Sequence, residues 1–231
     1  MRKEILILRN EPRENPGLIE LVLKEYNLIY RLIDFKSDTQ FGTLEQYGAV
    51  IVLGGPESAS DQTTKMLNEL AFNKRVAEAE IPYLGICLGL QILVKALGGS
   101  IHKCEIPETG FRGPDGGLFR ITLTEEGKYD RLLSHLPETF NVFQLHGETV
   151  RLTPEMTLLA TGDYCPDQII RTGKYSYGVQ FHFELTDGLL HTWMEEDPDL
   201  RGLDSEVLLR DYNFLKTVYN NTGRQIIKNF L

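Results

Sequence analysis

Hydrophobic and polar positions follow two different periods through the first hundred residues of the chain. Short apolar runs rich in branched side chains predict buried parallel strands, and longer stretches with apolar residues at helical spacing predict amphipathic helices. The predicted strands are Glu4–Leu8, Leu28–Asp34, Ala49–Leu53 and Pro82–Ile86. The predicted helices are Leu18–Tyr26, Thr63–Ala79 and Leu88–Leu97, the last ended by Gly98–Gly99. This alternation predicts a doubly wound α/β fold whose largely parallel central sheet is flanked by helices.

The second half of the chain has short strand candidates at hairpin-like spacing. These candidates are Phe119–Leu123, Phe140–Leu145, Met156–Thr161, Gln168–Thr172 and Tyr177–Phe181. We expect them to extend the sheet and to form a small antiparallel layer beside the carboxyl ends of the parallel strands. Helices are predicted at Thr186–Glu195, Glu206–Tyr219 and Gln225–Phe230, and loops at Gly110–Gly117 and Asp197–Asp204. Because the sequence has no repeats and no low-complexity linker, we expect one domain over residues 1–231.

A cysteine flanked by glycines stands between a predicted strand and a predicted helix. Gly85 and Gly89 surround Cys87, and the helix begins directly after it. Glycines permit a turn too sharp for side chains, so the central residue projects outward, as in the nucleophile elbow of hydrolases. The positive end of the helix would favour a thiolate on Cys87 and an oxyanion beside it. Cys87 is therefore a candidate nucleophile, whereas a lone cysteine at a strand end would be read as structural.

Two further segments carry candidate catalytic groups. His182 and Glu184 follow a hydrophobic strand and stand two positions apart, so in extended chain they share a face. The carboxylate of Glu184 can then orient the imidazole of His182, which completes a set of nucleophile, base and orienting group with Cys87. Gly54 and Gly55 follow another strand, where an exposed N–H could face a reacting carbonyl and, with the N–H of Leu88, form an oxyanion hole.

The set GGPE, PYLGICLGLQ, LHGE and GVQFHFE, in this order and spacing, resembles a class I glutamine amidotransferase domain of the stand-alone type. The resemblance implies a flavodoxin-like fold. It also implies that Cys87 attacks the side-chain amide of glutamine and forms a γ-glutamyl thioester, which is then hydrolysed to release glutamate and ammonia. In that comparison His182 is the general base and acid, and Glu184 orients it. Gly55 and Leu88 would supply oxyanion N–H groups.

The same resemblance extends to two further positions and includes one departure. Gln91 matches the glutamine that contacts substrate in the family pattern C-x-G-x-Q, and His146 is expected to shape the substrate wall rather than to act in catalysis. The family usually has His-Pro-Glu where this chain has Phe183 between the two polar residues. The spacing of the carboxylate survives this change, so we expect the triad to survive. The change to Phe183 leaves the substrate preference of the chain more open than the triad itself.

Composition narrows the function classes. The chain has 231 residues and a net charge of −9, and no concentrated basic stripe, which argues against binding to nucleic acid. Its three cysteines, Cys87, Cys104 and Cys165, have no metal-like spacing and indicate a reducing compartment. We therefore expect no metal, no cofactor and no disulfide, and treat Cys104 and Cys165 as structural or incidental. No signal-peptide pattern or membrane-length apolar run is visible, so the expected location is the cytoplasm.

Three functions remain open at this point. The chain could be a glutaminase subunit that delivers ammonia to a synthase encoded elsewhere, since no P-loop or acceptor domain is left over. It could be a free-standing hydrolase of γ-glutamyl peptides or amides, which would use the same thioester chemistry. A degenerate member that binds a ligand or partner without turnover is the non-enzyme alternative, and the intact set Cys87, His182 and Glu184 argues against it. A stress-type α/β cysteine protein would share only the elbow.

Overall fold

A nine-stranded sheet forms the centre of the fold in this computed structural model, which describes residues 3–36 and 39–231. The strands are β1 (Glu4–Arg9), β2 (Tyr30–Asp34), β3 (Tyr47–Val52), β4 (Tyr83–Ile86), β5 (Ser100–Gly110), β6 (Arg120–Leu123), β7 (Thr139–Asn141), β8 (Gln144–Arg151), β9 (Met156–Gly162), β10 (Ile169–Thr172) and β11 (Ser176–Val179). The order across the large sheet is β2-β1-β3-β4-β11-β10-β9-β6-β7, and β5 pairs with β8 in a separate small sheet. Neighbours from β2 to β11 run parallel, and those from β11 to β7 run antiparallel.

Helices cover both faces of the large sheet. They are α1 (Leu18–Glu25), α2 (Thr64–Glu78), α3 (Leu88–Ala96), α4 (Glu125–Lys128), α5 (Asp187–Glu196), α6 (Pro198–Arg201) and α7 (Ser205–Phe230). Alternate residues of β1 separate the two faces: Ile5 and Ile7 join the core beneath α1 and α7, and Leu6 and Leu8 join the core beneath α2 and α3. The predicted doubly wound fold is confirmed. No helix within residues 3–36 and 39–231 has the length and apolar character needed to span a membrane.

The small sheet was predicted only in part. The expected antiparallel layer exists, but the segment Phe140–Leu145 is divided between β7 and β8, because the chain passes from the large sheet to the small one at Val142 and Phe143. Strand β5 was missed entirely. Most of its side chains are exposed and polar, so the sequence there lacks the apolar alternation that predicts a strand.

The C-terminal helix α7 corrects a second prediction. A helix ending at Tyr219 and a separate helix Gln225–Phe230 were expected, whereas α7 is continuous over Ser205–Phe230. The polar stretch between them indicated a break, yet Thr222 and Gly223 are buried within the helix. The predicted loop Asp197–Asp204 contains the single turn α6.

Helix α7 approaches the backbone after β11 closely at Gly223. A Cβ added to Gly223 would lie 2.4 Å from the carbonyl oxygen of Phe183, which is well inside van der Waals contact. Only glycine therefore lets α7 pack against the segment that carries His182 and Glu184.

We expect Gly223→Ala to lower the free energy of unfolding by about 2 kcal/mol, because the cost of overpacking exceeds the gain in helix propensity. The measurement is the urea concentration at the midpoint of unfolding, compared between variants whose unfolding free energy has the same dependence on urea concentration. The matched control is Gly188→Ala in α5, where the added Cβ meets nothing within 4 Å and should gain up to about 1 kcal/mol. Equal midpoints for the two variants would contradict the packing argument.

Candidate active site

The turn between β4 and α3 holds Cys87 in a backbone conformation that residues other than glycine rarely adopt. Its φ is 51° and its ψ is −106°, and it is the residue that precedes the first turn of α3. A Cβ on Gly85 would lie 2.3 Å from the backbone of Gly89, and a Cβ on Gly89 would lie 2.3 Å from the carbonyl oxygen of Val52. Both flanking glycines are therefore required sterically, as the elbow pattern predicts.

Adjacent strand ends bring the candidate catalytic groups together. Strands β4 and β11 pair in parallel, and the N–H of Cys87 donates to the carbonyl of Val179 at 2.8 Å. His182 follows β11 three residues later. The side chains of Cys87 and His182 both lie beside Gly54, where an added Cβ would lie 3.1 Å from Cε1 of His182 and 3.7 Å from Cβ of Cys87. Cys87, His182 and Gly54 thus surround one point at the carboxyl edge of the sheet.

His182 and Glu184 form a buried pair. Nδ1 of His182 lies 2.7 Å from Oε1 of Glu184, and both side chains are 2% exposed. Burial acts to lower the pKa of His182, but the charge of Glu184 and the hydrogen bonds with Cys87 and Glu184 outweigh it and hold this pKa well above its usual value. The imidazole is therefore held in its charged form, which can stabilise a thiolate and give up a proton.

The backbone and ring of His182 are also fixed by their surroundings. Its N–H donates to the carbonyl of Phe143 at 3.0 Å, and the hydroxyl of Tyr219 donates to its carbonyl. The ring of Trp193 stands edge-on, with the two ring centroids 4.8 Å apart. These contacts leave the imidazole one orientation, with Nδ1 on the carboxylate and the opposite edge toward the cysteine.

The candidate oxyanion groups lie beside the elbow. A Cβ on Gly55 would lie 3.0 Å from Cδ2 of Leu88, so the two predicted segments are in contact. As the first residue of α3, Leu88 has an N–H without an acceptor inside the helix. The structure therefore places Gly55 against Leu88, the residue that follows Cys87. Backbone N–H groups stabilise an oxyanion when they point at it.

A pocket of about 360 Å³ opens over Cys87. Residues predicted from the sequence that line it are Gly55, Cys87, Gln91, His146 and His182. Its far wall is strand β8: the thiol of Cys87 lies 3.7 Å from the carbonyl oxygen of Leu145, and Nε2 of Gln91 donates to the carbonyl of Glu148 at 3.0 Å. Gln91 therefore links helix α3 to this wall.

The imidazole of His146 faces away from the pocket. Its side chain is 1% exposed, so the part of His146 that lines the pocket is main chain. Nε2 lies 2.9 Å from Oε2 of Glu108, which is also 1% exposed. The side chain thus anchors β8 to β5. That His146 shapes the substrate wall rather than acts in catalysis stays a prediction.

Sequence reasoning missed a group of charged residues on the near side of the pocket. Arg13 and Glu14 line it together with Asp197, and Nη2 of Arg13 lies 2.9 Å from Oδ2 of Asp197. Burial raises the pKa of Glu14 to about 7, although the charge of His182 opposes the shift. Arg13 and Glu14 occupy a turn with no motif of its own, so nothing local in the sequence distinguishes them from solvated loop charges.

The strain at the elbow has a measurable consequence. We expect Cys87→Gly to be more stable than Cys87→Ala by about 1 kcal/mol, because only glycine adopts this backbone conformation without cost, and the unfolded-state entropy of glycine offsets part of the gain. The measurement is the free energy of unfolding in urea. Since both variants lack the thiol, their difference isolates the backbone, and greater stability of Cys87→Ala would contradict the strained turn.

The buried carboxyl of Glu14 predicts a pH dependence of stability. Its folded pKa of about 7 exceeds the ordinary value of 4.5, so its contribution to stability is fully present below pH 4.5 and is lost as pH rises through 7. We expect Glu14→Gln to become more stable relative to the parent chain by up to roughly 3 kcal/mol between pH 4.5 and pH 8. Urea unfolding at both pH values measures it. The control, Glu195→Gln at an exposed position, should follow the parent profile.

The chain is similar to glutamine amidotransferase-like proteins and to glutamine-hydrolysing GMP synthases. The chain is 30% identical to a glutamine amidotransferase-like protein of Salmonella typhimurium over 74% of its own length and 73% of that protein. It is 32% identical to the A subunit of a glutamine-hydrolysing GMP synthase of Sulfurisphaera tokodaii, over 62% and 70% of the two chains. Against the GMP synthase of Bacillus subtilis the identity is 33%, over 59% of this chain, and the match spans about a quarter of that protein (24%).

Solved structures and a family model extend the comparison to the whole fold. A glutamine amidotransferase from Thermotoga maritima has a TM-score of 0.87 at 25% identity and covers 100% of this chain and 98% of its own. One from Methylobacillus flagellatus has a TM-score of 0.86 at 20% identity, covering 100% and 94%, which supports the fold. The family model of class-I glutamine amidotransferases matches residues 20–197. The chain therefore belongs to the class-I glutamine amidotransferase family of enzymes.

Proposed function

We propose that the chain hydrolyses the side-chain amide of L-glutamine through a γ-glutamyl thioester on Cys87. The observation that carries this proposal is the meeting of three features at one pocket: the elbow thiol, the buried pair of His182 and Glu184, and the start of helix α3 at Leu88. A binding module has no need of a strained cysteine beside a charged, oriented imidazole.

In the first step the thiolate of Cys87 attacks the amide carbon, and a C–S bond forms as the carbonyl oxygen takes the negative charge. The N–H groups of Gly55 and Leu88 would stabilise this oxyanion. His182 then gives its proton to the leaving nitrogen, so the C–N bond breaks and ammonia departs. Glu184 keeps the imidazole in place and stabilises its charged form before that transfer.

The second step regenerates the enzyme. Neutral His182 takes a proton from a water molecule, which attacks the thioester carbon, and the same oxyanion donors receive the charge again. The C–S bond breaks, glutamate forms and Cys87 leaves as a thiolate beside the protonated imidazole. One water is consumed and one ammonia is released in each cycle.

The charges around the pocket suit an amino-acid substrate. Acidic side chains predominate among the charged residues that line it, and they are Glu14, Glu57, Glu148, Asp197 and Asp199. The α-ammonium of glutamine would be attracted by this negative field, whereas the cationic side chains that line the pocket are Arg13 and His182, and His182 is paired with Glu184. Since Arg13 already contacts Asp197, the field favours a substrate with a free amino group.

The departure at Phe183 does not enlarge the pocket. Its side chain is 1% exposed and packs in the core with Phe181, on the side of the backbone away from the pocket. A larger γ-glutamyl substrate therefore gains no room from this residue. Glutamine stays the proposed substrate, and γ-glutamyl dipeptides become an arm of the test.

We further propose that the chain acts as a single domain in the cytoplasm and delivers its ammonia to a separate synthase. One relative is named as the A subunit of a GMP synthase, which is a subunit of a glutamine-hydrolysing enzyme. Free ammonia is largely protonated at neutral pH and loses its nucleophilicity, so a partner that docks over the pocket would preserve it.

The test measures glutamate and ammonia release by the purified chain from L-glutamine and from γ-glutamyl dipeptides. We expect turnover of glutamine that falls by about 10⁴-fold or more in Cys87→Ala, because triad members act as a unit. The matched control is Cys104→Ser, which removes a thiol outside the pocket and should retain turnover.

Unchanged turnover in Cys87→Ala would overturn the assignment of the nucleophile. Release from dipeptides with little from glutamine would overturn the substrate in favour of a free-standing γ-glutamyl hydrolase. If neither substrate reacts, stoichiometric labelling of Cys87 by a glutamine-analogue electrophile, blocked by glutamine, supports a site that needs its synthase. Absence of such labelling would overturn the enzyme proposal.

A further inference from the structure

A second group of sulfur and nitrogen atoms lies behind the pocket wall. Cys104 on β5, His146 on β8 and Cys165 in the loop between β9 and β10 come together although they are far apart in the sequence. One ligand atom from each, two Sγ and one Nδ1 or Nε2, lies within 4.8 Å of the others. All three thiols of the chain are free, so this pair of cysteines is not joined in a disulfide.

We propose that Cys104, His146 and Cys165 bind one zinc-like divalent metal ion, with a fourth position open to water or a small ligand. Two thiolates and an imidazole form a donor set that soft or borderline metals prefer over the oxygen ligands chosen by magnesium or calcium. The site is separate from the catalytic cysteine and goes beyond the proposed hydrolysis.

One nitrogen of His146 can be offered to a metal. Nε2 lies 2.9 Å from Oε2 of Glu108, and Gln168 donates to the same carboxylate oxygen at 3.0 Å. In the tautomer with its proton on Nε2, that proton would donate to Glu108 and the lone pair of Nδ1 would be free for a metal. That nitrogen lies 3.5 Å from Sγ of Cys104. A carboxylate behind a histidine is the usual support of a protein-bound metal.

The distances between the three ligand atoms fit a single tetrahedral ion once these atoms move slightly closer together. Around zinc, with bonds of about 2.3 Å to sulfur and 2.0 Å to nitrogen, neighbouring ligand atoms stand about 3.5 to 3.8 Å apart. The contact between Cys104 and His146 already has this length. Cys104 lies in the irregular part of β5, where the register with β8 shifts, and Cys165 lies in a loop. The two sulfur atoms could therefore move closer to His146 without breaking the regular hydrogen bonds between strands.

The surroundings of the two thiols support ligation. Sγ of Cys165 lies 3.0 Å from Oγ1 of Thr149, and a hydroxyl can turn to donate to a thiolate. Cys104 is partly exposed, which gives an ion a route from solvent.

One contact competes with the metal. Nδ1 of His146 also lies 3.1 Å from the carbonyl oxygen of Glu148, so a proton on Nδ1 would donate there and block ligation. This carbonyl also accepts from Gln91 at the pocket wall. A metal on Nδ1 therefore requires that the contact with Glu148 is given up, and this carbonyl then keeps its hydrogen bond from Gln91.

The experiment uses the full chain carrying Cys87→Ala, which removes the other cysteine that could bind metal beside an imidazole. The reduced protein is titrated with Zn²⁺ and Co²⁺, and the readouts are bound metal per chain and the thiolate-to-cobalt charge-transfer absorption. We expect one equivalent. Cys104→Ser or Cys165→Ser in the same background should weaken binding by at least 10-fold, and Glu108→Gln by about 10-fold as the support of His146 is lost.

Thermal unfolding of each variant without metal shows whether it is folded, and Cys104→Ser at a partly exposed position keeps the test valid if a buried substitution fails. A zinc-dependent rise in the melting temperature that disappears in Cys104→Ser would support the site. Absence of bound metal would overturn the proposal, as would one equivalent retained when both cysteines are serine. Rapid conversion of the two thiols to a disulfide without metal uptake would overturn it in favour of a redox pair.

Discussion

The close approach of helix α3 to the sheet is the constraint on which the site depends. Glycine at 85 and at 89 lets the first turn of α3 meet β3 and β4 at backbone contact. Gly178 on β11 makes room for the side chain of Leu90, since a Cβ there would lie 2.3 Å from Cδ1 of Leu90. Because α3 lies this close to the strand ends, the chain must pass from β4 to α3 in one sharp turn. Cys87 occupies that turn, so the position of the thiol follows from the packing of an entire helix.

Burial then governs the electrostatics. His182, Glu184 and Glu14 lie in one nearly solvent-free region. There the charge of Glu184 raises the pKa of both His182 and Glu14, and the charge of His182 lowers the pKa of Glu14. The pKa values of His182 and Glu14 therefore depend on the whole group rather than on either residue alone.

The features that could be predicted from the sequence are those encoded locally. Branched apolar runs predicted the parallel strands, and the spacing of His182 and Glu184 predicted a shared orientation that the 2.7 Å contact now describes. The cluster of Cys104, His146 and Cys165 could not be predicted, because it arises where β5, β8 and a loop meet and each residue stands alone in its own segment. The exposed strand β5 was missed because it lacks the apolar alternation of a strand, and the continuity of α7 was missed because Thr222 and Gly223 are buried although they are not large apolar residues.

The residue between His182 and Glu184 is determined by the core rather than by chemistry. Successive side chains of an extended segment point to opposite sides, so His182 and Glu184 share one side while Phe183 packs in the core beneath α7. The carbonyl of the same residue sets how near that helix can come at Gly223. Substitutions at position 183 should therefore covary with residues of α7 and of the neighbouring core. If relatives were sorted by the residue at this position, the groups would reflect how their C-terminal helices pack and not which substrate they use.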